Sequence, residues 1–417
     1  MKKCFLLVLF GLMLGAVPLV ADDTVVTNSS DNAYEQMELL TEMLLQVKKH
    51  HVEEHDFEEL VYGAIRGMLH SLDKHSAFMD PEEYKAMKED TKGEYGGIGI
   101  QIGMRGGILT VIAPIEDTPG FRAGLQSGDK ILEIDGVNTV GGTLREAVKK
   151  MRGPKGENVV LSVLGEEDLE PRDVDIIRDV IEVSSVKGAR IISDGIAYLR
   201  LTQFARPTAD LMHKSLKELD AKGMKALILD LRGNPGGLLD QSVFVAETFL
   251  KRKELVVSTK GREGSSKAKE RKAYGSLHYR DIPLVVLVNK GSASASEIVA
   301  GAIQDHRRGV IIGQTTYGKG SVQSVIGSRS DDSAIRLTTA YYYTPSGRLI
   351  HDIGIEPDIV VEVGREEWRR IQVKRMHFET PDSYTDEDRA EYADAVDSQL
   401  ERAVDLITAI LIFQDRQ

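Results

Sequence analysis

Three buried-strand patterns, each followed directly by a turn of small residues, constrain the fold of this chain more than any other feature. The strand patterns run over residues 226–229, 283–288 and 309–313, and the first two turns lead into apolar helical stretches. An apolar run of strand length, then glycine and serine, then helix-forming residues is typical of a strand, a tight turn and a helix. The sequence therefore predicts an α/β core. Sites in such folds lie at the carboxyl ends of strands, so these turns are where function is expected.

The turn after the second strand, residues 291–297, places serines at the start of a helix. Unpaired backbone N–H groups and the positive end of the helix dipole favour developing negative charge there. Such a place can hold both a nucleophile and an oxyanion. The alternative is structural, because Ser294 and Glu297 also form the S-x-x-E pattern of a helix capping box, which needs no chemistry to explain it.

The other two turns add weight to a catalytic interpretation. Lys319 lies between two glycines after the third strand, and burial between packed strands disfavours its charged form. A neutral lysine can act as the general base for a neighbouring serine. After the first strand, the paired glycines Gly236 and Gly237 can turn backbone N–H groups towards a ligand without obstruction, as an oxyanion hole requires. Taken alone, that glycine segment is better explained as an ordinary strand-to-helix loop.

These motifs resemble those of the C-terminal processing peptidases, also called tail-specific proteases, over about residues 35–362. The segments that carry the resemblance are residues 231–237, 291–297, 317–323, 344–348 and 354–358. The resemblance implies a serine endopeptidase with a ClpP/crotonase-like core and a Ser/Lys dyad. In that family pattern Ser294 is the nucleophile, Lys319 is its base, and the Gln323 amide orients the lysine amine.

The same resemblance implies an oxyanion hole. One donor would be the backbone N–H of Ala295, and the second would come from Gly236 or Gly237, which the sequence does not distinguish. Gly233 departs from the family, which more often has a second asparagine there, but the paired glycines are intact. Acyl transfer of this kind needs neither a metal nor a cofactor.

Residues 93–166 carry a second, independent pattern that is similar to a PDZ domain. Glycines expose successive N–H groups that can hold a C-terminal carboxylate, and the adjoining edge strand can accept a peptide tail by strand addition. Arg152, at the far end of the module, is a candidate sensor of the bound tail, and a solvated turn arginine is the alternative. The carboxylate-binding loop is expected at Gly97, Ile98, Gly99 and Ile100.

The N-terminal residues predict export. A charged start and an apolar stretch through Val20 fit a secretory signal cleaved after Ala21. Leu19 stands where a small residue is preferred, so an uncleaved segment that holds the protein at the membrane is the alternative. Export indicates the periplasm. The only cysteine, Cys4, lies in this segment, so the mature chain would contain no disulfide.

The sequence predicts five segments and the class of partner. Apolar stripes near both termini are expected to pack on the core, with a homodimer as the alternative. The net charge of −12 argues against nucleic acid. The expected partners are proteins or peptides with accessible C-termini, together with an adaptor protein. The segments are a signal peptide (1–21), a helical region (22–92), the PDZ domain (93–166), the peptidase core (167–362) and a C-terminal helical region (363–417).

Three other patterns suggest different chemistry, and each has a simpler explanation. His51, Glu54 and His55 fit a zinc motif but stand in a highly charged helical surface, so no metal site is expected. Residues 313–320 nearly match a phosphate loop, but lack its final hydroxyl and continue as a strand. His306 is too far along the helix to meet Ser294. The alternative function is a catalytically silent PDZ adaptor that captures tails without cutting them.

Overall fold

The computed structural model describes residues 29–115, 118–126, 128–165, 168–262, 268–275, 279–379, 390 and 392–416. The predicted signal peptide lies outside these residues. The chain divides after Gly67 into two compact units. The first contains helix α1 (Ser29–His50) and most of helix α2 (Phe57–His70). Within the described ranges, no helix combines the length and the apolar character that crossing a bilayer requires.

The second unit begins with short elements: strand β1 (Ala77–Met79), helix α3 (Pro81–Lys92) and strand β2 (Glu94–Gly97). Local sequence explains the ends of α3. Asp80 caps it by accepting the N–H of Glu83, and Pro81 supplies the φ that a first helical residue needs. Gly93 ends the helix in the left-handed conformation, at φ 77°.

A β-rich module follows, with an antiparallel sheet in the order β3-β4-β5-β7-β8 and β6 paired to β5. Every second residue of β7 is buried, as the two-residue period of a strand with one covered face requires. The sheet continues past residue 166, and the next strand, β9 (Asp179–Glu182), pairs with β2. Its elements are β3 (Ile100–Arg105), β4 (Ile108–Pro114), α4 (Pro119–Arg122), β5 (Lys130–Ile134), β6 (Val137–Asn138), α5 (Leu144–Met151), β7 (Asn158–Leu164) and β8 (Arg172–Ile177).

The rest of the unit is an α/β core around a six-stranded sheet in the order β10-β11-β12-β15-β16-β19. Strand β10 is antiparallel to β11, and the remaining pairs are parallel. All residues of β12 and β15 are buried, as expected for central parallel strands covered on both faces. The elements are β10 (Val186–Ser193), β11 (Ile196–Leu201), α6 (Thr208–Ala221), β12 (Ala226–Asp230), α7 (Leu239–Glu247), β13 (Leu255–Gly261), β14 (Lys269–Lys272), β15 (Leu284–Val288), α8 (Ala295–Asp305), β16 (Val310–Gly313), β17 (Ser321–Gly327), β18 (Ala334–Tyr343), β19 (Ile359–Val360), α9 (Arg365–Glu379) and α10 (Ser398–Gln414).

Helices cover both faces of this sheet. Apolar residues of α6, α7 and α8 form the larger core cluster on one face. On the other face α10 buries Ala403 and Ile407 against Tyr198, Ile228 and Leu287. The apolar stripe predicted near the C-terminus therefore packs on the core, whereas in the stripe predicted near the N-terminus the side chains of Met37, Leu40 and Val47 are exposed. The predicted combination of an α/β core, a β-rich module and helical terminal regions is confirmed.

A second, antiparallel sheet flanks the core and brings distant segments together. Strand β18 lies between β17 on one edge and β1 on the other, and further along it pairs with β13. Residues near position 77 are thereby held one strand away from β17, the strand that follows Lys319.

Candidate active site

The two turns of the predicted site meet because β12 and β15 are parallel neighbours. Their carboxyl ends deliver the glycine segment and the serine turn to the same edge of the sheet. Asn234 joins them, since its carbonyl oxygen accepts the N–H of Ala293 at 3.0 Å and the hydroxyl of Ser296 at 3.0 Å. The relative placement of the two turns is thus fixed by buried hydrogen bonds.

Ser294 precedes α8 in a strained conformation. Its φ of 54° and ψ of −110° lie outside the regions that L-residues ordinarily occupy. The side chain is half-buried, and its backbone N–H donates to the Glu297 carboxylate at 2.7 Å. Strain of this kind persists only where surrounding contacts enforce it, and here it holds a serine at a helix N-terminus.

The paired glycines differ in whether their backbone N–H groups already have a hydrogen-bond acceptor. Gly236 packs against the serine turn so closely that an added Cβ would lie 2.8 Å from the Ser294 Cβ. Its N–H donates to the Asn234 side-chain oxygen at 2.9 Å. By contrast, the N–H groups of the exposed Gly237 and of Ala295 have no acceptor among the residues that the structure describes. Of the two glycines, Gly237 is therefore the one with an N–H to offer.

A buried carboxylate connects the serine turn to the lysine loop. Glu297 accepts the N–H groups of Gly318 and Lys319, at 2.7 and 2.9 Å, in addition to that of Ser294. It also accepts the hydroxyl of Thr316. Burial raises the pKa of Glu297, while these four hydrogen bonds act to lower it. The sequence assigned Glu297 only to helix capping, and its contacts with the lysine loop had no signal in local sequence.

Lys319 is half-buried, and its charged form is disfavoured. Burial lowers the pKa of its ammonium, the positive charge of Arg336 lowers it further, and the negative charge of Glu297 opposes both. Glu297 joins the backbone of the lysine loop to that of the serine turn. Within the described part of the chain, however, no hydrogen bond or ion pair engages the Lys319 amine.

Gln323 makes no hydrogen bond to the lysine amine. Its side-chain N–H group donates to the hydroxyls of Ser321, at 3.1 Å, and Thr338, at 2.8 Å. Its carbonyl oxygen Oε1 is buried and has no hydrogen-bond partner among the described residues. The structure thus places the glutamine in the neighbouring strand with one unused acceptor.

Behind the glycine segment lies a buried ionic cluster centred on Arg232. The guanidinium forms paired hydrogen bonds with Asp230, at 2.8 and 3.0 Å, and with Asp397, at 2.7 and 2.8 Å. Burial acts to raise the pKa of Asp230, but the charge and hydrogen bonds of Arg232 outweigh it and hold that pKa well below its usual range. Because Asp397 caps α10, the C-terminal helix supports the loop that carries the glycines.

The predicted carboxylate-binding loop forms one end of a groove in the β-rich module. Ile98 is buried and Gly99 adopts φ 74°. Strand β3 is an edge strand, so it can accept a further strand. Arg152 borders this groove, and its guanidinium lies 4.4 Å from the centre of the Tyr95 ring. The remaining lining residues are Gly97, Ile100, Ile102, Val148 and Met151.

The alternative sites have ordinary structural explanations. The His51 and His55 rings lie 4.8 Å apart, and His55 pairs with Glu59. No group of three or more acidic, histidine or cysteine side chains in the described ranges is arranged to hold a metal ion. His306 hydrogen-bonds the carbonyl of Leu255 at 2.7 Å, beyond the far end of α8 from Ser294.

Comparison with known proteins identifies two domains and several relatives. Peptidase family S41 matches residues 195–361, and a PDZ domain matches residues 110–164. The carboxy-terminal-processing protease of Bartonella bacilliformis is 45% identical over 84% of this chain and 81% of that protein. The carboxyl-terminal-processing protease of Synechocystis is 39% identical over 73% and 71%. A solved structure described as an S41 protease from Bacteroides fragilis covers 81% of this chain and 87% of that one, with a TM-score of 0.51 and 14% identity, which shows the fold alone.

The fold and the paired domains define a serine protease that carries a PDZ domain. The chain belongs to the carboxy-terminal processing proteases of peptidase family S41. Peptides and proteins are its substrates. The predicted family and enzyme class are confirmed, whereas the roles of individual residues, the ClpP/crotonase-like type of the core and the segment boundaries stay predictions.

Proposed function

We propose that this protease reads a free C-terminus with its PDZ domain and cleaves the same polypeptide with a Ser294/Lys319 dyad. The observation that carries the proposal is the Glu297 carboxylate, which binds the N–H of Ser294 and the N–H of Lys319 together. A general base must lie within hydrogen-bond reach of the proton it removes, and this shared carboxylate holds the two loops side by side.

The chemistry follows from the groups at the site. The neutral Lys319 amine takes the proton of the Ser294 hydroxyl as its oxygen attacks the peptide carbonyl. The N–H groups of Ala295 and Gly237 stabilise the tetrahedral oxyanion. The lysine then gives its proton to the leaving amine, and the C–N bond breaks. Water, deprotonated by the same lysine, hydrolyses the acyl-enzyme, which returns the serine and releases the new carboxylate.

The resting arrangement supports activation by the bound tail. Lys319 makes no side-chain hydrogen bond to Ser294 within the described residues, and the Gln323 amide is directed to Ser321 and Thr338. We propose that a tail in the PDZ groove favours the closed dyad, and that Arg152, which borders the groove, senses it. Arg152→Ala should therefore reduce cleavage of tailed peptides more than cleavage of a short peptide that cannot reach the groove.

The experiment compares a peptide with a free apolar C-terminus and the same peptide as a C-terminal amide. Wild type should cleave the first faster, and Ser294→Ala and Lys319→Ala should cleave neither. An uncharged fluorophosphonate should label wild type at Ser294 and should label Lys319→Ala far more slowly. Full cleavage by Lys319→Ala, or labelling at another serine, would overturn the dyad. Binding of the free tail without cleavage by wild type would indicate the silent adaptor instead.

We also propose export to the periplasm, with delivery of substrates by an adaptor protein and association of the terminal regions in a homodimer. Export is supported by the charged and apolar pattern of residues 1–21. Cell fractionation with N-terminal sequencing distinguishes a cleaved signal from a membrane-held segment. Sedimentation of the purified protein measures the oligomeric state, and a monomer at all concentrations would contradict the dimer.

A further inference from the structure

A segment far from the motifs in sequence, Asp73–Ser76, lies beside β18, the strand that pairs with the strand carrying Gln323. It leads into β1, which occupies the edge of β18 opposite β17. Thr338 stands between the two, since it pairs with Gln323 across the sheet and its N–H donates to the Ser76 hydroxyl at 3.2 Å. The Thr338 hydroxyl in turn accepts the Gln323 amide.

Asp73 anchors the other end of this hydrogen-bond chain. Its carboxylate accepts the Ser76 hydroxyl at 2.8 Å and the N–H groups of His75 and Ser76 at 2.7 and 2.8 Å. Burial acts to raise the pKa of Asp73, but these hydrogen bonds outweigh it and lower that pKa to about 2. A carboxylate that is ionised at neutral pH therefore holds Ser76, which supports Thr338, which orients Gln323.

The His75 ring is half-buried, with its Nε2 atom out of reach of solvent. Its Nε2 atom has no hydrogen-bond partner among the described residues, and its ring centre lies 6.1 Å from that of His351. The His351 backbone in turn packs on Gly320, where an added Cβ would lie 2.1 Å from the His351 nitrogen. Burial lowers the pKa of His75, and the Lys319 charge lowers it further, so the ring is neutral at pH 7 and can accept a hydrogen bond.

A neutral lysine that acts as a base needs two hydrogen-bond acceptors. The amine has one lone pair and two N–H bonds, and as a base it must point the lone pair at the Ser294 hydroxyl. Both N–H groups then need acceptors in a site where an unpaired donor is costly. Three buried atoms in these segments lack a partner in the described part of the chain: the Gln323 Oε1, the His75 Nε2 and the His351 Nδ1. The charge of Lys319 acts on the His75 ring, which makes His75 the candidate second acceptor beside Gln323.

We propose that His75 is a positioning residue of the active site, whose Nε2 accepts one N–H of the neutral Lys319 amine while the Gln323 Oε1 accepts the other. This inference rests on the proposed Ser294/Lys319 dyad. In the active arrangement the two acceptors fix the direction of the lone pair, and the Asp73–Ser76 segment holds both of them.

The first test compares His75→Leu with His75→Gln, because a glutamine carbonyl can take the place of Nε2 and leucine cannot. His75→Leu should lower kcat and the rate of fluorophosphonate labelling by about 100-fold, with KM within about threefold of wild type, since a misdirected base slows chemistry and not binding. His75→Gln should recover most of this loss. His70→Leu, on an exposed surface, is the matched control and should behave as wild type.

Two outcomes would overturn the inference: labelling of His75→Leu at the wild-type rate, or equal losses in His75→Leu and His75→Gln. If His75→Leu does not fold, as judged by its Tm, His75→Met replaces it, since methionine fills the space without a strong acceptor. These results are separable from failure of the dyad. If the dyad itself is wrong, Lys319→Ala should be labelled at the wild-type rate, whatever residue occupies position 75.

The second test interrupts the hydrogen-bond chain that runs from Asp73 through Ser76 and Thr338 to Gln323. Ser76→Ala removes the hydroxyl that donates to Asp73 and accepts the Thr338 N–H, and it should lower kcat by about tenfold in wild type. In a Gln323→Leu background the same change should have almost no further effect, because the acceptor that the chain supports is already absent. Independent, additive losses from the two changes would contradict the proposed route through Gln323.

Discussion

Replacement of Glu297 by glutamine tests the link between the nucleophile and its base without changing either. The two carboxylate oxygens each accept two donors: one binds the Thr316 hydroxyl and the Gly318 N–H, and the other binds the N–H groups of Ser294 and Lys319. Glutamine keeps only one carbonyl oxygen. Its NH₂ group would face two N–H donors, so two buried donors would lose their acceptor.

The size of the effect follows from that count. A buried donor without a partner costs about 1–3 kcal/mol, so two such donors cost about 2–6 kcal/mol. If the loops relieve this cost by moving apart, the dyad is misaligned, and kcat falls by about 30-fold to about 25,000-fold at 1.36 kcal/mol per tenfold. If they do not move, the same free energy appears as lost stability. Either result is measurable, and the two can be told apart.

The pH profile gives an independent check. The negative charge of Glu297 raises the pKa of Lys319, so its removal lowers that pKa further. The amine then becomes neutral at lower pH, and the acidic limb of the kcat profile of Glu297→Gln should move to lower pH. Steady-state hydrolysis of a tailed peptide from pH 5 to 10, with calorimetry on the same samples, measures both quantities.

A charge-matched control is available in Glu247→Gln. Glu247 also accepts a backbone N–H, that of Tyr274, but lies away from the two loops. The Glu247→Gln substitution should leave kcat and the acidic limb of the kcat profile unchanged. Glu297→Gln with a kcat within twofold of wild type and an unchanged Tm would refute the role given to this carboxylate.

Three further predictions use other parts of the structure. Gly236→Ala should reduce Ser294 labelling by about 100-fold or more, because its Cβ would lie 2.8 Å from the Ser294 Cβ at a φ of 102°; labelling near the wild-type rate would contradict this packing. Arg336→Gln should move the acidic limb to higher pH, because the arginine charge lowers the pKa of Lys319; a shift to lower pH would contradict that sign. Ile407→Ala should lower the free energy of unfolding by about 2–5 kcal/mol in urea titrations, since Ile407 is fully buried under the sheet; a change below about 1 kcal/mol would show that α10 is not part of the core.

Local sequence was sufficient for the parts of the site that belong to short motifs. The strand-turn patterns predicted β12, β15 and β16, and the structure has strands there. Resemblance directed attention to Ser294 and Lys319, and the structure brings their loops together through Glu297. It also directed attention to Gln323, which the structure leaves without a hydrogen bond to the Lys319 amine.

Sequence by itself thus determined the strands, the turns and the types of residue at their ends, because strand and turn propensities act over a few neighbouring residues. Only the tertiary structure decided which glycine N–H is unpaired, that Glu297 joins two loops, and that Thr338 connects the segment around His75 to Gln323. Those facts depend on hydrogen bonds between residues far apart in the chain. Such partners are chosen by how sheets and helices pack, and no local pattern encodes them.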